Sequence, residues 1–303
     1  MGILVVGSVA FDSVETPFGK VDEALGGSAT YFSTSASYFA DVALVAVVGG
    51  DFPEKHVKFL RDKGVDLSGL KVVKEGKTFR WKGRYEYDLN QAHTLETHLN
   101  VFSEFKPVIP ENQRDAEFLF LANIDPDIQH EVLEQARNPK FVACDTMNFW
   151  IGGKPEALKR VLRRVNLFVI NEGEAREFSG EASLVKAAKK ILDMGPKILI
   201  IKRGEYGSLM FNGSSVFSAP AYPLEEIFDP TGAGDSFAGG LMGYLASTGN
   251  VSDENIRRAI ILGSVMASFN VESFSLDRLS ALDFKDIKTR YSEFKRLTHF
   301  ENM

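Results

Sequence analysis

The feature that most limits this fold is a recurrence of short, unbroken apolar runs. Ile3–Val6, Val42–Val47, Phe118–Leu121, Phe141–Cys144, Leu167–Ile170 and Ile198–Ile201 are rich in β-branched and aromatic residues and do not alternate with polar ones. A strand covered on one face alternates. A strand covered on both faces reads as a continuous apolar run, as in a parallel sheet. Parallel strands need crossovers, and amphipathic segments lie between the runs. Pro155–Val165 gathers Ala157, Leu158, Val161, Leu162 and Val165 on one face, with Lys159, Arg160, Arg163 and Arg164 outside it. Ser183–Met194 stops at Gly195-Pro196, and Phe52–Lys63 stops at Gly64. The expected fold class is α/β, a doubly wound, mostly parallel sheet.

Two stretches break this alternation. Phe11–Leu25 has no helical period, and Phe79–Tyr87 alternates like a half-buried strand. Together, segments 12–24 and 72–102 predict a small antiparallel β lid inserted into a single domain spanning 1–303. Hydrophobic residues at 44% and charged residues at 25% suit an ordinary globular core. A net charge of -6 argues against nucleic acid or an anionic membrane as partner. No apolar stretch approaches the ~20 residues of a membrane span, and the N-terminus lacks a signal-peptide pattern, so a cytoplasmic protein is expected. Cys144 is the only cysteine and sits in an apolar run, which excludes an intrachain disulfide and suggests a buried thiol.

The segment Asp229-Pro-Thr-Gly-Ala-Gly-Asp235 carries the most chemistry. Pro230 stops any preceding helix, Gly232 and Gly234 permit tight backbone, and a helix follows with Phe237, Leu241, Tyr244 and Leu245 on its apolar face. Small residues at a helix start expose unpaired N–H groups at the positive end of the dipole, a ready anion site. Asp235 has two readings at this point. It caps the helix, or it takes a proton from a hydroxyl that attacks a phosphoryl group.

This string closely resembles the C-terminal signature of the ribokinase/PfkB family of carbohydrate and nucleoside kinases. The resemblance extends from the first strand to the last long helix. It implies a ribokinase-like fold, with Asp235 as catalytic base and the Gly232, Ala233 and Gly234 backbone as anion hole. Asp229 matches a position that implies a monovalent cation in some members. Gly7-Ser-Val-Ala-Phe-Asp12 follows the first strand, where open α/β sheets bind ligands, and the resemblance makes Asp12 a substrate residue. Gly26-Gly27 resembles the family's Gly-Gly signature, with Tyr31 nearby either stacking on a ring or packing. Asn171-Glu-Gly-Glu174 matches Asn-x-x-Glu, which implies Mg²⁺ held largely through water, as suits a hard cation.

On the nucleotide side, the resemblance implies ATP bound near Lys202, Gly204, Gly207 and Thr231. It puts Ser264, Ala267, Ser268 and Asn270 in the region of the adenine pocket. Asp145-Thr-Met-Asn148 loosely resembles a family Asp-x-Asn-x-Arg segment and is taken as site lining. The implied activity is ATP-dependent phosphorylation of a hydroxyl of a small sugar or polyol. A nucleoside acceptor is the alternative, toward which Tyr31, Phe79, Trp81, Tyr85 and Tyr87 lean. A silent ligand-binding protein is the alternative of another class. Lids of this kind imply a homodimer paired through the β lid. Gly76-Lys-Thr78 fails as a Walker A loop because residue 71 is Lys, and the histidines lack metal spacing. No Gly-x-Gly-x-x-Gly follows the first strand, which disfavours a dinucleotide dehydrogenase.

Overall fold

The computed structural model describes residues 2–213 and 215–299; Met1, Ser214 and 300–303, and with them both ends of the expected 1–303 span, lie outside the described residues. The chain opens with β1 (Ile3–Val6), β2 (Ala10–Thr16), β3 (Gly19–Gly26), α1 (Ser28–Ala36), β4 (Val42–Gly49), α2 (Glu54–Asp62) and β5 (Val65–Val73). A hairpin of β6 (Phe79–Tyr85) and β7 (Ala92–His98) precedes β8 (Phe118–Leu121), α3 (Pro126–Gln135), β9 (Phe141–Cys144), α4 (Asn148–Gly153) and α5 (Pro155–Leu162). Then come β10 (Leu167–Asn171), α6 (Glu172–Ser179), α7 (Leu184–Leu192), β11 (Ile198–Lys202), β12 (Ser208–Phe211) and β13 (Val216–Ala219). Helices α8 (Ala233–Thr248), α9 (Asp253–Asn270), α10 (Asp277–Ser280) and α11 (Phe284–Leu297) close the chain.

The main sheet has nine strands in the order β13-β12-β11-β10-β9-β8-β1-β4-β5. It is parallel from β11 to β5, and β12 and β13 run antiparallel at one edge. Its apolar runs are unbroken because both faces are covered. Ile3 and Val5 join the cluster under α1, α8 and α9, while Leu4 and Val6 join the cluster under α3, α5 and α7. Burying such side chains stabilises by about 1.5–3 kcal/mol each relative to exposure. Cys144 is one of them, fully buried, with burial pushing its thiol well up.

Helices α1 and α8 approach closely, and glycine makes this feasible. A β-carbon on Gly239 would lie 2.4 Å from the Phe32 carbonyl oxygen. Ser35 Oγ donates to the Ser236 carbonyl at 2.7 Å across the same contact. This packing sets the start of α8 beside the start of α1.

The second sheet has the order β3-β2-β6-β7. Its two hairpins are antiparallel, and they join through a parallel β2–β6 ladder. Val72 and Val73, expected in this appendage, instead end β5 in the main sheet. Every residue of β7 is exposed. The small sheet touches the loop before α8: Thr16 Oγ1 donates to the Phe228 carbonyl at 2.9 Å, and Thr231 Oγ1 lies 3.4 Å from the Tyr85 hydroxyl.

Candidate active site

In an open parallel sheet the carboxyl ends of the strands form one edge, and ligands bind beyond it where strand order reverses. Here the order reverses at β1, which lies between β8 and β4. Asp12 follows β1, Asp145 follows β9, Asn171 ends β10 and Lys202 ends β11. The start of α8 faces the same edge. Asp12, Asp145 and Lys202 lie within electrostatic reach of Asp235, and Lys202 also of Glu174, which caps α6 with Asn171.

Gly232 is the N-cap of α8, with φ 76 and no side-chain cap. Asp235 therefore stands one turn inside the helix and does not cap it. No backbone acceptor meets the Gly234 N–H among the described residues, whereas Ala233 N–H donates to the Pro230 carbonyl at 3.1 Å. The expected anion hole is corrected in that respect, since the Ala233 amide is already committed to closing the turn.

Asp235 is surrounded by protein yet partly open to water. Desolvation, with the nearby Asp145 and Asp12 charges, pushes its carboxyl up to about 7, and Lys202 opposes the rise. Asp12 is 7% exposed, and burial likewise raises it to about 7 against a hydrogen bond from Gly27 N–H at 3.2 Å. Gly26 and Gly27 exist for this carboxylate. A β-carbon on Gly26 would sit 2.0 Å from Asp12 Oδ2, and Gly27 has φ 94 against the Ser8 carbonyl.

Lys202 Nζ lies 3.4 Å from Asp145 Oδ2 and would be 2.6 Å from a β-carbon on Gly234. Burial alone would depress its pKa, but the Asp145, Glu174 and Asp235 charges raise it. Asn171 and Glu174 form a reciprocal capping box at the start of α6: Asn171 N–H donates to Glu174 Oε2 at 2.9 Å, and Glu174 N–H donates to Asn171 Oδ1 at 2.8 Å. Burial pushes Glu174 up to about 7, opposed by Lys202. Among the described residues, one Glu174 oxygen has no protein donor. Among the described residues, no group of three or more His, Cys, Asp or Glu side chains gathers as a metal cage. This donor set fits a cation held through water rather than by direct ligation.

Other expected site residues have packing roles. Tyr31 is 1% exposed, and a β-carbon on Gly232 would meet its ring at 2.3 Å. Of its two expected roles, stacking on a ring or packing, the buried ring takes the packing one here. Thr231 braces the loop, with its N–H on Asp229 Oδ1 at 2.9 Å and its carbonyl accepting from Asn270 Nδ2 at 2.8 Å. Asn270, expected near adenine, is committed to that brace and to Ser236. Asp229 is 1% exposed; burial raises its pKa, while N–H groups of Thr231 and Ser275 hold one oxygen each. Gly204 (φ 54) lies under Asn90, whose Oδ1 would be 2.0 Å from a β-carbon there, and Gly207 (φ 79) abuts the Ala219 carbonyl.

Asp145 was expected only as site lining, and nothing in the local sequence marks Gln129. Asp145 shares a signal with Asn171 and Lys202, a polar residue at the carboxyl end of an apolar run. Gln129 is buried in α3, and its Nε2 reaches the carbonyls of Leu121, Ala122 and Asp145 at 3.3, 3.0 and 3.0 Å.

A family model described as pfkB family carbohydrate kinase matches residues 3–281. The chain belongs to that family. This pfkB-family kinase is 33% identical over 268 residues to the cytidine kinase of Thermococcus kodakarensis, covering 85% of this chain and 92% of that protein. Its structure superposes on the Methanocaldococcus jannaschii nucleoside kinase, an archaeal member of the ribokinase family, with TM-score 0.78 at 20% identity, covering 96% of this chain and 98% of that one. A Burkholderia thailandensis nucleoside kinase in complex with inosine superposes with TM-score 0.77 at 18% identity, covering 96% and 97%. The expected ribokinase-like α/β fold and the phosphotransferase class are thereby established for this pfkB-family kinase. No helix among the described residues is long and apolar enough to cross a membrane.

Proposed function

We propose that this kinase transfers the γ-phosphoryl group of ATP to a hydroxyl of a nucleoside, with Asp235 as general base. The observation that carries the reading is the placement of Asp235. It stands in the first turn of α8, beside Lys202, with its carboxyl raised to about 7 by burial. A base near the working pH is ionised often enough to act and basic enough to accept a proton.

Asp235 takes the proton from the acceptor hydroxyl as its oxygen attacks the phosphoryl group. The Gly232 and Gly234 amides, the dipole of α8 and the Lys202 ammonium face the charge gathered on the transferring oxygens. Asp12 orients the acceptor as a two-oxygen hydrogen-bond acceptor for its hydroxyls. The small sheet acts as a lid that limits water access, its Tyr85 and Thr16 tying it to the loop before α8. Asn171 and Glu174 would hold Mg²⁺ through water, and the ion would neutralise phosphate charge when bound. Both Asp229 oxygens already accept backbone amides, so no step is derived through a monovalent cation there.

Two observations favour a nucleoside over the simple sugar or polyol expected first. The Thermococcus relative acts on cytidine, as its name states. Trp81 also lies beside Asp12 in the β2–β6 register, on the strand face shared with Tyr85, partly exposed and with its ring over Gly83. An aromatic next to the hydroxyl-binding carboxylate suits a base attached to a ribose. An ADP-release assay with cytidine, other nucleosides, simple sugars and polyols tests this. Turnover confined to sugars or polyols contradicts the acceptor assignment, and flat ATP consumption across the panel favours a silent binding protein. We assign the exposed edge strand β7 to pairing with a second copy, which sedimentation velocity reads directly.

A further inference from the structure

We propose that Asp145 and Gln129 are positioning residues for phosphoryl transfer: they hold the Lys202 ammonium against the first turn of α8, beside Asp235. The inference rests on the reading of Asp235 as the base.

The geometry forms one chain of contacts. Gln129 is fully buried on α3, and its side-chain amide donates to the backbone carbonyls that end β8 and follow β9. The Leu121 carbonyl already accepts the Asp145 N–H at 3.0 Å, and the Gln129 amide adds a second donor there while reaching the Ala122 and Asp145 carbonyls where the β-ladders stop. The amide therefore fixes the backbone of Asp145. Asp145 is 4% exposed; its Oδ1 accepts its neighbour's Thr146 N–H at 2.6 Å, which leaves Oδ2 toward Lys202 at 3.4 Å. Among the described residues, Asp145 is the carboxylate within ion-pair distance of Lys202. The ammonium in turn fills the notch left by the missing side chain of Gly234.

A lysine on a flexible stem has many rotamers, and fixing it costs side-chain entropy. A buried, backbone-anchored carboxylate offsets that cost before substrate arrives. It keeps the positive charge where transferring oxygens pass and where it tempers Asp235. Charged and titratable groups facing Asp235 come from four elements: Asp12 on β2, Tyr85 on β6, Asp145 after β9 and Lys202 on β11. Lys202 also faces Glu174 on α6, which has Glu177 one turn on.

Asp145→Asn is the test. It keeps the shape and an oxygen for the Thr146 N–H, but removes the charge that holds Lys202. We expect a folded enzyme whose kcat falls by about tenfold to a hundredfold, the size of a misplaced catalytic group. Loss of the Asp145 charge lowers the Asp235 pKa while release of Lys202 raises it, so the downward shift of the kcat/KM acid limb on Asp145→Asn should be smaller in wild type than in a Lys202→Met background, where no lysine is released. Gln129→Leu should lower kcat in the same direction, and the double variant should be no slower than Asp145→Asn alone. If Gln129→Leu does not fold, Asp145→Asn decides by itself. An acid-limb shift of the same size in both backgrounds, whatever happens to kcat, overturns the proposal. Asp235→Asn measured alongside separates the two ideas: full turnover there sinks the base, not the positioning alone.

Discussion

Gly232 lies against the ring of Tyr31, so closely that a β-carbon at 232 would be 2.3 Å from Tyr31 Cγ. The contact joins α1, which carries Tyr31, to the N-cap of α8, one turn before Asp235. Gly232→Ala is penalised twice, by a φ of 76 and by the ring. It should destabilise by about 2–4 kcal/mol and lower kcat by displacing the α8 start. Denaturant unfolding and steady-state kinetics on one preparation check both.

Tyr31→Phe should behave in the opposite way. The Tyr31 hydroxyl is buried, and among the described residues no hydrogen-bond partner meets it at normal geometry. Removing it should leave acceptor KM unchanged and raise stability by up to about 1 kcal/mol. A large rise in acceptor KM would show that the ring meets substrate after all.

The three raised carboxylates predict how stability follows pH. Asp12, Asp235 and Glu174 each sit at about 7 when folded, against 3.8, 3.8 and 4.5 ordinarily. Above pH 7 the native state carries charges that burial disfavours, so these groups lower stability most there. As pH falls through 7 toward 5 they take up protons and the penalty fades. The thermal midpoint should therefore rise from pH 8 to pH 6. Asp235→Asn should also raise the midpoint at pH 8 by roughly 2 °C. A midpoint that falls in that variant would place Asp235 in a stabilising contact.

Activity should follow pH with the opposite sense, because the base works ionised. kcat/KM should rise through about pH 7 on the acid side. Asp12 and Asp235 influence each other, so the limb reports the pair rather than either residue alone. An acid limb near pH 4 would mean that Asp235 is better hydrated than its burial implies.

Much of the fold was legible because burial on both sheet faces leaves a local mark, the unbroken apolar run. Asp235 was legible because the flanking glycines and the following helix are contiguous with it. Its distinction from a helix cap was not, since that depends on Gly232 taking the N-cap position. The choice between stacking and packing for Tyr31 was not legible, because its ring packs against Gly232, some 200 residues away in sequence. Asp145, expected only as site lining, and Gln129, unmarked in the sequence, hid their roles for a related reason. Their roles depend on strand neighbours, and sheet order is not written in any one segment.

On the acceptor side, Asp12→Asn should raise acceptor KM more than ATP KM. Trp81→Ala should raise nucleoside KM while leaving any residual turnover of simple sugars unaffected. Equal effects of Trp81→Ala on both acceptor types would separate the ring from base recognition. Kinetics with both acceptor classes on the same variants resolve the point.

The most direct test of the account is single-turnover phosphoryl transfer from ATP to cytidine, comparing the wild-type chain with Asp235→Asn. The account predicts rapid formation of phosphorylated nucleoside by wild type, a loss of about 10²–10⁴-fold or more in the variant, and nearly equal ATP affinity in both. Transfer at an unchanged rate in Asp235→Asn would contradict it.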